Sequence, residues 1–98
     1  MAFTCTIPAK PTVQVDDDRV RITRWDFEPG ASTGWHEHAM PYCVVMVLGG
    51  ELAIHDGTEV KRVPLEAGDA YVRPKGITHD VMNGTDHPMA FVEIEMKR

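Results

Sequence analysis

Apolar and polar residues alternate with a period of two along most of this chain, and turn-forming residues interrupt the alternation about every 8 to 12 positions. Arg19 to Phe27 mixes β-branched and aromatic residues with charges and stops at Pro29-Gly30, which predicts a half-buried strand and a turn. Tyr42 to Leu48 is apolar throughout between Pro41 and Gly49-Gly50, the signature of a strand buried on both faces. Glu51 to His55, Asp56-Gly57 and Thr58 to Val63 read as a β-hairpin. Ala70 to Arg73, Ile77 to Asn83 and Met89 to Met96 supply further strands, and Pro11 to Asp16 one more near the N-terminus. On the last of these, Ala90, Val92, Ile94 and Met96 share one face, while Phe91, Glu93 and Glu95 share the other. No segment carries a helical period. The expected class is all-β, a sandwich or barrel of about eight short strands.

At 98 residues the chain suits a single core. The expected organisation is an N-terminal arm and first strand over 1–18, then one barrel domain over 19–98. The formal net charge of −5 excludes a polyanion-binding groove and hence nucleic acid as partner, because such grooves depend on concentrated Lys and Arg. Cys5 and Cys43 are too few for a disulfide scaffold or a thiolate zinc knuckle. The N-terminus lacks a basic-then-apolar signal and no run approaches 18 apolar residues, so no membrane association and a cytoplasmic location are expected. Eight Gly and seven Pro are spread along the chain as punctuation, leaving five His as the feature that composition does not explain.

His36-Glu37-His38 places two imidazoles on one face of a strand, a pair suited to a divalent transition metal. The surrounding frame adds to this. Gly30, His36, His38, Tyr42 and Gly49 resemble the first motif of the cupin family in every position but one. Gly68, Pro74, Gly76, His79 and Asn83 match the second motif at all five fixed positions. At residue frequencies of about 5%, five such coincidences have a chance of about 3 × 10⁻⁷ per starting position. The resemblance implies a small jelly-roll barrel, or double-stranded β-helix, with His36, His38 and His79 around a metal of the Fe, Ni, Zn or Mn type. It also implies that Gly30, Gly49 and Gly68 serve the turns, and that Asn83 is a turn former beside Gly84. Across Val20 to Glu95 the wording is similar to the very small cupins linked to β-alanine degradation.

The chain departs from that family at Tyr42, where a glutamate is usual and is commonly the fourth ligand. Three neutral imidazoles leave a divalent ion its full +2 charge, which favours an anionic ligand. Tyr42 then reads as a pocket wall whose hydroxyl meets substrate or metal-bound water. Glu93 is a candidate base if it faces inward and an ion-pairing residue if it faces outward. Glu37 and Asp80 alternate away from the metal, as does Cys43, read as a buried inert thiol; His55 and His87 read as surface histidines.

The expected function is a metal-dependent cupin acting on a small anionic metabolite, either as an O₂-dependent dioxygenase or as a metal-assisted isomerase or lyase. A non-catalytic module that binds a small molecule or metal is the alternative. The apolar run Tyr42 to Leu48 further suggests that a partner subunit covers one sheet. A homodimer is therefore expected, with Pro11 to Asp16 extending the neighbour's sheet edge.

Overall fold

The computed structural model describes Phe3 and residues 7–97, so Cys5 lies outside the described residues. Eleven strands are present among them and no helix: β1 (Ile7–Pro8), β2 (Lys10–Asp16), β3 (Val20–Phe27), β4 (Ala31–Ser32), β5 (His36–Glu37), β6 (Tyr42–Leu48), β7 (Gly50–His55), β8 (Val60–Leu65), β9 (Ala70–Arg73), β10 (Thr78–Asn83) and β11 (Met89–Met96). One sheet runs β1-β4-β10-β7-β8 with β5 also on β10; the other runs β2-β3-β11-β6-β9. The chain is therefore all-β and folds as two sheets face to face. Between them lie Phe27, Phe91, Leu52, Met89, Val44 and Met46, each at most 3% exposed, with the two phenyl rings 5.2 Å apart. Among the described residues no helix is long and apolar enough to cross a membrane.

Two of the three motif glycines permit a turn through their dihedral angles. Gly30 has φ 77° and Gly68 φ 90°, conformations that side chains rarely adopt. Gly49 serves for space instead: a Cβ there would lie 2.6 Å from the Leu65 carbonyl oxygen and 2.9 Å from Glu66 Cα, where the chain passes from one sheet to the other. Asn83 is 1% exposed and clamps the loop that follows it. Its Nδ2 donates to the His87 carbonyl at 2.8 Å, and its Oδ1 accepts from the Thr85 amide and hydroxyl at 2.9 and 2.6 Å.

Two expectations need correction. The Tyr42–Leu48 strand is not buried on both faces within the chain: Tyr42, Val44 and Met46 are buried, whereas Cys43 and Val45 are half-buried and Leu48 is 46% exposed. The hairpin's second strand begins at Val60, because Asp56 Oδ1 takes up the Thr58 amide and hydroxyl and the Glu59 amide, all at 2.9 Å, in a tight turn. β2 pairs with β3, with a bulge between Val13 and Val15, and forms the outer edge of its sheet.

Register determines what faces the interior. Across β3, β11, β6 and β9 the residues Arg21, Glu95, Tyr42 and Arg73 lie side by side, and so do Thr23, Glu93, Val44 and Tyr71. Side-by-side residues in a sheet point to one face. Tyr42 and Val44 point inward, so both rows do, and one end of the barrel interior is polar.

Candidate metal centre

The short strand β5 pairs with β10 so that His36 lies directly opposite His79, putting both imidazoles on one face. His38 follows two residues on. Its amide donates to the Ile77 carbonyl at 2.8 Å and its carbonyl accepts from Gly76 at 2.7 Å, which carries the pairing through the Pro74-Lys75-Gly76 turn. The HxH pair and the histidine 41 positions later thus meet. His36 Nε2 lies 2.9 Å from His38 Nε2, which is 3.0 Å from His79 Nε2. His38 and His79 are buried and His36 half-buried.

Hydrogen bonding among the rings does not account for this geometry. His36 Nδ1 is 2.8 Å from the Gly34 carbonyl, an acceptor, so Nδ1 carries the proton and Nε2 of the neutral ring presents a lone pair. A single N–H on His38 Nε2 can satisfy only one of its two neighbours. A metal ion resolves the conflict, since ligand nitrogens about 2.1 Å from one ion and about 90° apart stand about 3.0 Å from each other. The donor set fits a divalent transition metal. Burial, followed by the His36 charge, lowers His38 to about 4, and burial with His36, His38 and Arg73 lowers His79 to about 3. Both rings are neutral at pH 7, the form that ligates.

Tyr42 meets the triad through its ring. Its ring stacks on His38, with centroids 3.8 Å apart and planes 19° from parallel, and the residue is 2% exposed. Burial, with Tyr71 and Glu93 adding to it, raises the phenol above its ordinary value, so it keeps its proton. Glu93 faces inward, 8% exposed, and sits behind His38, its Oε1 4.0 Å from Nδ1. Burial first and then Glu95 raise its carboxyl to about 7, while Arg21 and the indole N–H of Trp25 draw it down. That N–H has no partner within bonding geometry among the described residues. Glu95 is held by a bidentate pair to Arg21 at 2.8 and 3.1 Å. His38, Glu93 and Glu95 form a second buried group of potential ligands, on the far side of the His38 ring.

Glu37 is exposed, and Asp80 turns to the opposite face, where its carboxylate accepts from the Phe3 and Gly34 amides at 3.0 and 3.1 Å. Cys43 faces the outside of its sheet and is half-buried rather than buried. His87 is exposed. His55 is not a free surface residue: Phe3 and Trp35 pack edge-on against its ring at 5.4 and 6.3 Å, and its Nδ1 accepts from the Gly57 amide.

A cavity of about 480 Å³ opens beside His79. Tyr42, Tyr71, Ile54, Val63, Lys61 and Arg73 contribute to its walls. Sequence reasoning missed Gly34, which orients His36, as well as Tyr71, Lys61 and Arg73. Only strand pairing brings these together, and no local spacing encodes it.

Residues 23–95 match the sequence profile of the cupin domain. The β-alanine degradation protein BauB of Pseudomonas aeruginosa is 45% identical over 89 residues, 91% of this chain and 94% of that protein. An oxalate-binding protein of Thermotoga maritima is 31% identical over 73 residues, 74% of this chain and 59% of that protein. The crystal structure of a cupin domain from Bordetella pertussis superimposes with a TM-score of 0.92 at 42% identity, covering 98% of this chain and all of that one. With its motif residues brought together on paired strands and its length matched almost end to end, the chain belongs to the cupin family.

Proposed function

We propose that this cupin is a metal-dependent enzyme of the cytoplasm in which His36, His38 and His79 hold a divalent transition metal, Fe, Ni, Zn or Mn, and a small anionic metabolite occupies the adjoining cavity. The convergence of three Nε2 atoms, at 2.9 and 3.0 Å from the central one, carries this reading. Bound there, the ion supplies Lewis acidity and a positive charge that no ligand carboxylate offsets. Tyr42 contributes a neutral hydroxyl at the cavity wall, and Glu93, behind His38, is a positioning residue that fixes that ring through Nδ1. Apolar walls of Ile54 and Val63 exclude water from the substrate. The relative at 45% identity is named for β-alanine degradation, which accords with a small acid as substrate.

An O₂-dependent oxygenation and a redox-neutral isomerase or lyase step both suit such a site. Oxygen consumption by the iron-loaded protein, screened against small acids and diketones, separates them: uptake with any of these identifies the first, and none with all of them rejects it. The 31% identical oxalate-binding protein supports a second reading, a binding module without turnover. That reading requires saturable binding of a small acid with no product in the same screen.

The quaternary state is also part of the proposal. Val15, Ile22, Ile94, Cys43 and Val72 lie side by side across all five strands of the second sheet, on its outer face. β11 thus turns Val92 and Ile94 outward while Glu93 and Glu95 face the interior. A second copy covering this face in a homodimer accounts for the inversion. Ile94→Glu is expected to convert a dimer to a monomer in sedimentation equilibrium at micromolar concentration, and a wild-type monomer there would refute the assignment.

A further inference from the structure

The cavity mouth carries two cations from opposite sheets. Lys61 sits on β8 opposite Ile54, and Arg73 on β9 opposite Tyr42; both partners line the cavity, so the cross-strand pairing aims both cations the same way. β8 and β9 are the edge strands of their sheets, and both contribute residues to the cavity wall. Arg73 makes no ion pair among the described residues: its Nη1 donates only to its own strand, to the Val72 carbonyl at 3.2 Å, and its guanidinium rests 4.8 Å above the Tyr71 ring. Lys61 has a loose exposed contact to Glu59 at 3.9 Å. The acid in the wall, Asp56, uses Oδ1 within its own turn. The lining therefore carries two cations against one anion, in a protein whose net charge is −5.

We infer that Lys61 and Arg73 form a carboxylate subsite at the cavity mouth, so that the substrate is a short acid with two oxygen-bearing ends: a carboxylate held at the mouth and a polar head beside His79. This rests on the reading of the cavity as a substrate site. The Arg73 fork suits bidentate recognition of a planar carboxylate, and the Tyr71 ring beneath fixes its plane. The volume of about 480 Å³ falls within the usual range for small-molecule sites.

The test compares succinate with butyrate, acids of equal chain length and unequal charge, by NMR titration of zinc-loaded and metal-free protein. The zinc-loaded protein is expected to bind succinate at least about tenfold more tightly than butyrate, with the ratio falling as salt is raised. The double variant Lys61→Gln, Arg73→Gln should reduce that ratio to within about twofold while retaining one zinc per chain. Metal-free protein should show a weaker succinate affinity that the same variant also removes. A wild-type protein without the preference, or a double variant that keeps it, overturns the subsite. Zinc content reports separately on the histidines: a chain that takes up no zinc refutes the metal centre, and the succinate loss in metal-free protein then still decides the subsite.

Discussion

Replacing His38 with alanine removes tight divalent-metal binding and leaves the barrel folded. His38 is the middle member of the triad, 2.9 Å from one imidazole nitrogen and 3.0 Å from the other, so its loss leaves only the His36–His79 pair that β5 and β10 set opposite each other. Four-ligand structural zinc sites bind with about 10–16 kcal/mol, or about 2.5–4 kcal/mol per ligand, and the affinity should fall by about two to three orders of magnitude. Competition against a chromophoric chelator measures this. His87→Ala serves as the control, because that side chain is exposed and remote from the triad. Circular dichroism should show the same strand content in both variants, since of the core cluster that holds Phe27, Phe91 and Leu52 only Tyr42 stacks on the ring removed. Unchanged zinc affinity in His38→Ala would refute the ligand assignment.

The fold was legible largely because turn chemistry is local. Asp56-Gly57, Pro29-Gly30 and Gly49-Gly50 each mark a chain reversal, and Tyr42–Leu48, Ala70–Arg73 and Met89–Met96 begin and end where alternation and turn residues place them. The three histidines were legible too, because their frame of Gly and Pro fixes which residues share a face. What alternation could not supply was the identity of each inner face. Met89–Met96 divides into an apolar set and an acidic set, and the usual rule would bury Val92 and Ile94; the structure instead turns Glu93 and Glu95 inward beside Arg21 and His38. Nor could Tyr42 be oriented from its position alone. Its ring lies flat on His38 because a buried imidazole needs an apolar wall, and that requirement appears only once β6 and β5 are packed. Arg73 and Lys61 went unnoticed for a related reason, since their juxtaposition arises from two strand edges in different sheets.

The buried triad should make the metal-free protein sensitive to acid, with a sign set by three groups. His38 and His79 are lowered from about 6.5 to about 4 and about 3, so between about pH 4 and 6.5 the unfolded chain holds two protons that the folded chain does not. The stability these rings allow is fully present above 6.5 and is lost as the pH falls. Glu93 works the other way. Raised from 4.5 to about 7, it keeps a proton in the folded state that the unfolded chain releases, so its contribution is present below 4.5 and is lost as the pH rises through 7. Between pH 4.5 and 6.5 the net difference is two protons minus one, or about 1.4 kcal/mol per pH unit in favour of the higher pH. Urea unfolding of metal-free protein should therefore show stability increasing by about 3 kcal/mol over those two units, with a maximum near pH 6.5. Asp17 and Asp56, both exposed and held low by their own turns, act only on the acid side of this window. Glu93→Gln removes the opposing proton, so its slope over the same range should roughly double, to about 2.7 kcal/mol per unit. An equal slope in the two proteins would mean that Glu93 does not hold its proton in the folded state, and a flat profile in both would mean that the histidines are not desolvated as the packing of His38 between Tyr42 and its neighbours requires.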